Sequence, residues 1–272
     1  WPDGLYTAPS DEALLFDIKA MKELGFNMIR KHIKVEPSRW YMHCDREGIL
    51  VWQDLPSPNL PAGHEAFARQ NFEEEAVRII DAFENHPSIV QWVVFNEGWG
   101  QFDTERMTQV VIDKVSPQSL VCCASGWNDA EIGDIKDSHS YPYPSCPIDQ
   151  KRACVNGEYG GITLKVPGHI WPGGDFGYTA VETPEDFTVM FNDLADKIKD
   201  HYYYGLNAAV YTQLSDVEIE KNGIYTYDRR ILKPYSPTGE LKDKILECIN
   251  MPQSDVKIQP VVSTAKEHKY KW

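Results

Sequence analysis

The sequence predicts an α/β chain, a (β/α)8 barrel of parallel strands that lacks its first strand. Three observations carry this reading. Short apolar runs alternate with amphipathic helices along the 272 residues, an order that yields parallel β/α units and not a sandwich. The run IVQWVVF at 89–95 is almost continuously apolar, as in strands covered on both faces. Seven strands can be counted, one short of closure, and no strand precedes the first helix.

Taken in order, Ser10 caps a helix with Asp11 and Glu12 in its first turn, Leu14, Ile18, Met21 and Leu24 along one face, and Gly25 as its stop. Strand 26–30 (FNMIR) follows, then a helical piece over 38–46 ending at Gly48, then strand 49–54 (ILVWQD). A Pro-rich loop leads to a helix over 64–84 and to strand 89–95. A helix over 104–115, strand 120–125, a strand ending at 139–141 and strand 153–157 come next. A helix over 185–203 leads to strand 207–213. We assign 1–252 to the barrel and 253–272, where periodicity fades, to a linker towards a further domain.

Composition narrows the function. With 42% hydrophobic and 25% charged residues the chain is ordinarily globular, neither disordered nor fibrous. Its 27 Lys and Arg against 41 Asp and Glu, net −14, leave little surplus for the basic face that a nucleic-acid partner requires. No apolar run approaches the ~18 residues of a membrane span, so no membrane partner is expected. Six cysteines without regular spacing indicate neither a zinc site nor a disulfide framework. The 8 Trp, 14 Tyr and 10 Phe suit core packing or a sugar cleft, whose aromatic rings stack on the C–H faces of pyranoses.

In a β/α barrel the chemistry sits at the C-terminal strand ends. Glu97 directly follows the strand of HPSIVQWVVFNEGWG, beside Asn96 and Trp99, and Glu158 directly follows that of RACVNGEYGG, beside Tyr159 and two glycines. Paired carboxylates about 5–5.5 Å apart can cleave a glycosidic bond with retention: one protonates the leaving oxygen, and the other attacks the anomeric carbon. Two other classes remain open at this point, a carbohydrate-binding barrel without turnover and a metal-dependent barrel enzyme using the acids as ligands.

The segments GFNMIRKHIKVEPSRWYMHCDREGILVWQD, HPSIVQWVVFNEGWG, VNGEYGG and VYTQLSDVEIEKNGIYTYDRR resemble the catalytic TIM barrel of glycoside hydrolase family 2, the group of β-galactosidases, β-glucuronidases and β-mannosidases. The resemblance implies a retaining exo-β-glycosidase, β-galactosidase-like, acting on terminal sugars of oligosaccharides or other glycosides. It makes Glu97 the general acid/base and Glu158 the nucleophile. The family places these after strands four and seven, as here if the missing strand is the first.

Arg30 matches the family arginine that supports the nucleophile, and Asn96 the amide that binds the 2-hydroxyl. His32 stands where the family often has Arg-x-Ser-His, one residue early, as a sugar ligand. Tyr141 of DSHSYPYP matches a tyrosine that contacts the nucleophile, with His139 lining the site. Tyr211 takes the place of a family tryptophan at the sugar-site floor. The long connection 160–184 offers Trp171 for stacking on the sugar. No cofactor is implied. Where some members bind magnesium through Glu-x-His, this chain reads WQDLPSPN, so no metal site is expected; the acids of SDVEIE are expected to face solvent or pair with Arg229 and Arg230.

The resemblance also implies β-sandwich domains upstream and a periplasmic or secreted setting. A chain opening on Trp-Pro-Asp-Gly reads as an internal fragment. Between strands 26–30 and 207–213 we expect a gap, partly covered by a segment such as 256–262.

Overall fold

The computed structural model describes residues 1–2, 4–57 and 65–252. Among these, β1 (Met28–Lys31), β2 (Leu50–Asp54), β3 (Ile89–Asn96) and β4 (Leu120–Ser125) form one parallel sheet in chain order. β5 (Ile135–His139), β6 (Ala153–Gly160) and β9 (Leu206–Thr212) form a second. The two short strands β7 (Ile162–Thr163) and β8 (Thr179–Ala180) pair with each other. The sheets meet where the Asp134 N–H donates to the Val121 carbonyl (2.8 Å) and the Val121 N–H to the Asp134 carboxylate (2.9 Å). Among the described residues no ladder joins β1 to β9, so both stand as sheet edges of a partial barrel. The segment 256–262 lies outside the described residues, as does the whole of 253–272.

The helices α1 (Asp11–Glu23), α2 (Ser38–Glu47), α3 (Glu65–Phe83), α4 (Thr104–Ile112), α5 (Pro184–Tyr202) and α6 (Glu240–Ile249) cover the outer strand faces. Their ends are chemically marked. Ser10 accepts from the Ala13 N–H and Thr183 from the Asp186 N–H, each capping a first turn, while Gly48 closes α2 at a left-handed φ of 66°. The strand expected to end at 139–141 is β5, which ends at His139 and pairs with β6 through a register shift between Ser138 and His139. Helix α6, strand β7 and strand β8 were not foreseen; the last two are too short to show a period.

Strand alternation divides the core in two. The larger part lies between strands and helices, where Trp40, Trp92, Phe95, Phe187 and Leu14 are almost wholly buried. The smaller fills the barrel: Trp52, Val93, Cys122, Ile135 and Val155, with Met28, Ala208 and Val210 packed on them. Above this apolar floor, one pleat nearer the C-terminal ends, the inward positions turn polar.

Beyond β9 the chain doubles back through a meander over 213–233, paired by Ile224 N–H to Gln213 C=O (2.9 Å) and Lys233 N–H to Ile224 C=O (2.8 Å). Of the SDVEIE acids Glu218 is exposed, as expected, but Asp216 departs from the expectation. Asp216 is buried and binds Lys233, whose ammonium is fully enclosed (2.5 Å), while Arg229 instead pairs with Asp17 on α1 (2.7 Å). Removing one partner of a buried ion pair strands the other charge. Lys233→Ala is therefore expected to cost about 3–5 kcal/mol, measured by urea unfolding; a loss below about 1 kcal/mol would mean the pair is immaterial.

Candidate active site

Arg30 occupies the centre of the polar layer. It lies on β1 two residues after Met28, so both face inward, and its side chain is only 2% exposed. Its Nε and Nη2 donate to both oxygens of Asp54 at the end of β2 (3.1 and 2.9 Å). Nη2 also donates to Asn96 Oδ1 at the end of β3 (2.9 Å). Nη1 donates to the Gly157 carbonyl (3.0 Å) and to Glu158 Oε1 (3.2 Å) on β6. Such a charge-assisted fork fixes three strand ends against one another.

Glu158 receives further support. Tyr141 donates its O–H to Oε2 (2.6 Å) and is itself placed by Thr212 Oγ1 of β9 (3.1 Å). His32, bound to Asp54 through Nδ1 (2.8 Å), stands 3.9 Å from Oε1 with half its side chain exposed. Burial pushes the Glu158 carboxyl up, but Arg30, His139, His32 and the Tyr141 hydroxyl outweigh it and hold the group below its ordinary value.

Glu97 ends its strand with an unusual backbone. Its N–H still pairs with the Ser125 carbonyl (2.9 Å), but its φ is 51° and that of Gly98 is 77°. A non-glycine residue in the left-handed region costs on the order of 1 kcal/mol and persists where its surroundings hold it. The Trp127 Nε1–H on its carbonyl (2.8 Å) is one such hold. The carboxylate meets His139 Nδ1 (2.8 Å) and, more loosely, Trp99 Nε1 (3.4 Å). His139 Nδ1 also stands 3.5 Å from Glu158 Oε2, between the two glutamates, and a carboxylate oxygen from each glutamate and the imidazole nitrogen all lie within 4.8 Å of one another. These three are the described groups placed to hold a cation, and Arg30, which divides its single charge between Asp54 and Glu158, already bonds to one of them.

The structure therefore brings together Arg30, His32, Asn96, Glu97, Trp99, His139, Tyr141 and Glu158. One expectation is corrected. Tyr211 points away from the site: Thr212 faces inward on β9, so its neighbour faces the helices and packs on Tyr159 and Phe191 (5.6 and 5.1 Å). Trp171 packs edge-on against Tyr227 (5.4 Å). The long loop also delivers Tyr178, stacked flat on Tyr141 at 3.6 Å.

Sequence reasoning also missed Asp54, Ser125, Trp127, Asp137, Thr212 and Glu220. Asp54 had a signal, a carboxylate closing an apolar strand as Glu97 and Glu158 do. Glu220 had none. It accepts from Gln213 Nε2 (3.3 Å), and burial together with the charges of Glu158 and Glu97 raises its carboxyl.

A family model for glycosyl hydrolases family 2, TIM barrel domain, matches residues 8–246. The chain belongs to glycosyl hydrolases family 2. Among relatives, a mannosylglycoprotein endo-beta-mannosidase of Lilium longiflorum is 25% identical over 297 residues, covering 90% of this chain and 27% of that protein. A beta-galactosidase of Clostridium acetobutylicum is 23% identical, covering 86% and 30%. A GH2 beta-galacturonidase from Eisenbergiella tayi, solved with galacturonate, superposes with a TM-score of 0.67 at 16% identity, over 88% of this chain and 48% of that one. The family 2 chain thus spans under half the length of the proteins it matches.

The depressed Glu158 carboxyl has a consequence for stability. A group whose folded value lies below its ordinary 4.5 contributes stability that is fully present above that pH and is lost as pH falls through the folded value. The thermal midpoint is expected to drop below about pH 4.5, and Glu158→Gln to flatten that acid limb. An unchanged limb would show that Glu158 does not carry it.

Proposed function

We propose that this barrel hydrolyses terminal β-linked glycosides with retention, Glu158 acting as nucleophile and Glu97 as general acid/base. The observation that carries the reading is the proximity of the two carboxylates, with oxygens within 4.8 Å. Retaining pairs stand about 5–5.5 Å apart, whereas inverting pairs leave room for water at about 6.5–9.5 Å. Their surroundings differ in the way the two roles need. Arg30 and Tyr141 keep Glu158 ionised for attack on the anomeric carbon, and the imidazole beside Glu97 suits a group that gives and regains a proton. Glu97 protonates the departing oxygen. It then takes a proton from the water that releases the sugar from Glu158.

Asn96 spends its carbonyl oxygen on Arg30 (2.9 Å), which turns its amide –NH2 to a substrate 2-hydroxyl, a contact that strengthens in the transition state. Trp99, 56% exposed beside Glu97, offers a stacking face for the leaving group. Tyr178 offers one next to Glu158.

The sugar we favour is a neutral, galactose-like hexose. A sugar carboxylate is best met by a cation facing the sugar, and these described cations all have acidic partners: Arg30 binds Asp54 and Glu158, Lys31 and Lys34 share Glu36, and Lys165 and Lys221 share Asp175. Glu220 adds negative charge there, and like charges brought together cost several kcal/mol.

A screen of nitrophenyl β-glycosides, with and without chelator, tests the reading. Cleavage is expected to be indifferent to chelator and to favour the galactoside over the galacturonide by about tenfold or more; a preference for the uronide would reverse the choice of sugar. Glu158→Ala should abolish turnover, and azide should restore cleavage of an activated substrate, giving the glycosyl azide of inverted configuration. Near-normal activity of Glu158→Ala would remove the nucleophile assignment, and binding without any turnover would leave a carbohydrate-binding barrel.

A further inference from the structure

The displacement just described leaves unused a buried acid of the polar layer. Asp137, on β5 two residues before His139, lies inside the barrel with its side chain sealed from solvent. Its Oδ1 accepts the Gly157 N–H (2.6 Å), an approach so close that a Cβ on residue 157 would fall 2.2 Å from the other carboxylate oxygen. That other oxygen, Oδ2, meets Ser125 Oγ at 2.5 Å. Ser125 Oγ in turn meets His139 Nε2 at 2.7 Å, and His139 Nδ1 meets Glu97 at 2.8 Å. Four side chains from β3's end, β4 and β5 thus form one continuous chain ending on the acid/base.

The chain has a direction. An ionised carboxylate only accepts, so the Ser125 hydroxyl, with its single proton, donates to Asp137. Ser125 Oγ then accepts from His139, which places the imidazole proton on Nε2 and leaves Nδ1 with a lone pair. In the neutral imidazole this lone pair, 2.8 Å from a Glu97 oxygen, takes its hydrogen bond from a protonated Glu97, whereas an imidazolium would donate to an ionised one.

We propose that Asp137 and Ser125 are positioning residues that set the His139 tautomer and so hold the catalytic proton on Glu97. The proposal rests on the reading of Glu97 as acid/base. In the first displacement the proton passes from Glu97 to the leaving oxygen; in the second, water returns one to Glu97 as its oxygen bonds to the sugar. No other reactant is needed.

The charged groups facing the chain are few. His139 meets Arg30 Nη1 (3.5 Å from Nε2) and Glu158 (3.5 Å from Nδ1) besides Glu97 and Asp137, and Glu220 and Tyr178 lie in electrostatic reach of Glu97. Burial raises the Asp137 carboxyl against the pull of His139, Arg30, Ser125 and the Gly157 N–H.

Asp137→Asn reverses the direction. The amide –NH2 donates to Ser125, whose hydroxyl donates to Nε2, so Nδ1 carries the proton and favours ionised Glu97. We expect the alkaline limb of kcat/KM to move to lower pH. Cleavage of a phenyl β-galactoside, which needs the acid, should fall about tenfold or more beyond any loss on the 2,4-dinitrophenyl galactoside, which does not. Ser125→Ala should act likewise and Ser125→Thr restore the parent profile. In 15N spectra of the intact protein, His139 is expected as the Nε2–H tautomer in the parent and Nδ1–H in Asp137→Asn. An Nδ1–H or doubly protonated His139 in the parent, or equal losses on both substrates with an unmoved pH limb, overturns the proposal. If no glycoside is cleaved at all, the glycosidase reading fails, while the parent tautomer still decides the direction of the chain.

Discussion

Every part of the site is organised around the burial of one guanidinium. Arg30 is held by Asp54, Asn96, Gly157 and Glu158, from three strands other than its own. A charge sealed inside a barrel is costly unless paired and hydrogen-bonded on all sides, so these partners are obligatory and their spacing is set by the planar fork. Arginine, with five donors in a rigid plane, can tie together two carboxylates, an amide and a carbonyl; the point charge of lysine cannot. A carboxylate anchored in this way is held ionised and fixed in position, which is what electrostatic preorganisation requires.

The barrel makes that burial possible by separating apolar and polar layers along each inward face. Met28 and Arg30 on β1, Trp52 and Asp54 on β2, Val155 and Gly157 on β6, and Val210 and Thr212 on β9 repeat one pattern: an apolar residue below, a site residue or an opening for one above. The floor keeps water from the base of the polar layer, so the hydrogen bonds above it compete with little solvent. Gly157 extends the pattern, since its missing side chain is the space that the Asp137 carboxylate occupies.

The wall beside Glu158 is built by two segments that are individually short of regular structure. The loop after β7 is fastened to the meander by Lys221 to the Gly174 carbonyl (3.0 Å) and to Asp175, and by His169 to Asp228 (2.7 Å). Lys221 is itself buried beside the enclosed Lys233–Asp216 pair. This docking sets Tyr178 flat on Tyr141 and so reaches Glu158 through a single hydroxyl. The wall is held chiefly by paired charges, in contrast to the apolar floor beneath the site.

Alone, the sequence determined the parallel α/β architecture, most strand and helix positions, and the two glutamates with Arg30, Asn96 and Tyr141. These are legible because hydrophobic period and strand-end position are local properties, and because the surrounding motifs carry a family pattern. Only the tertiary structure decided which aromatics meet the site. Tyr211 and Thr212 are adjacent in sequence and face opposite sides of one strand, and a shift of one residue in register separates core from cleft. Trp171 and Tyr178 share one loop whose course depends on Lys221 and Asp228, some 50 residues away. The chain from Asp137 through Ser125 and His139 to Glu97 was equally hidden, because a hydrogen-bonded sequence of side chains from neighbouring strands exists only once their register has been set.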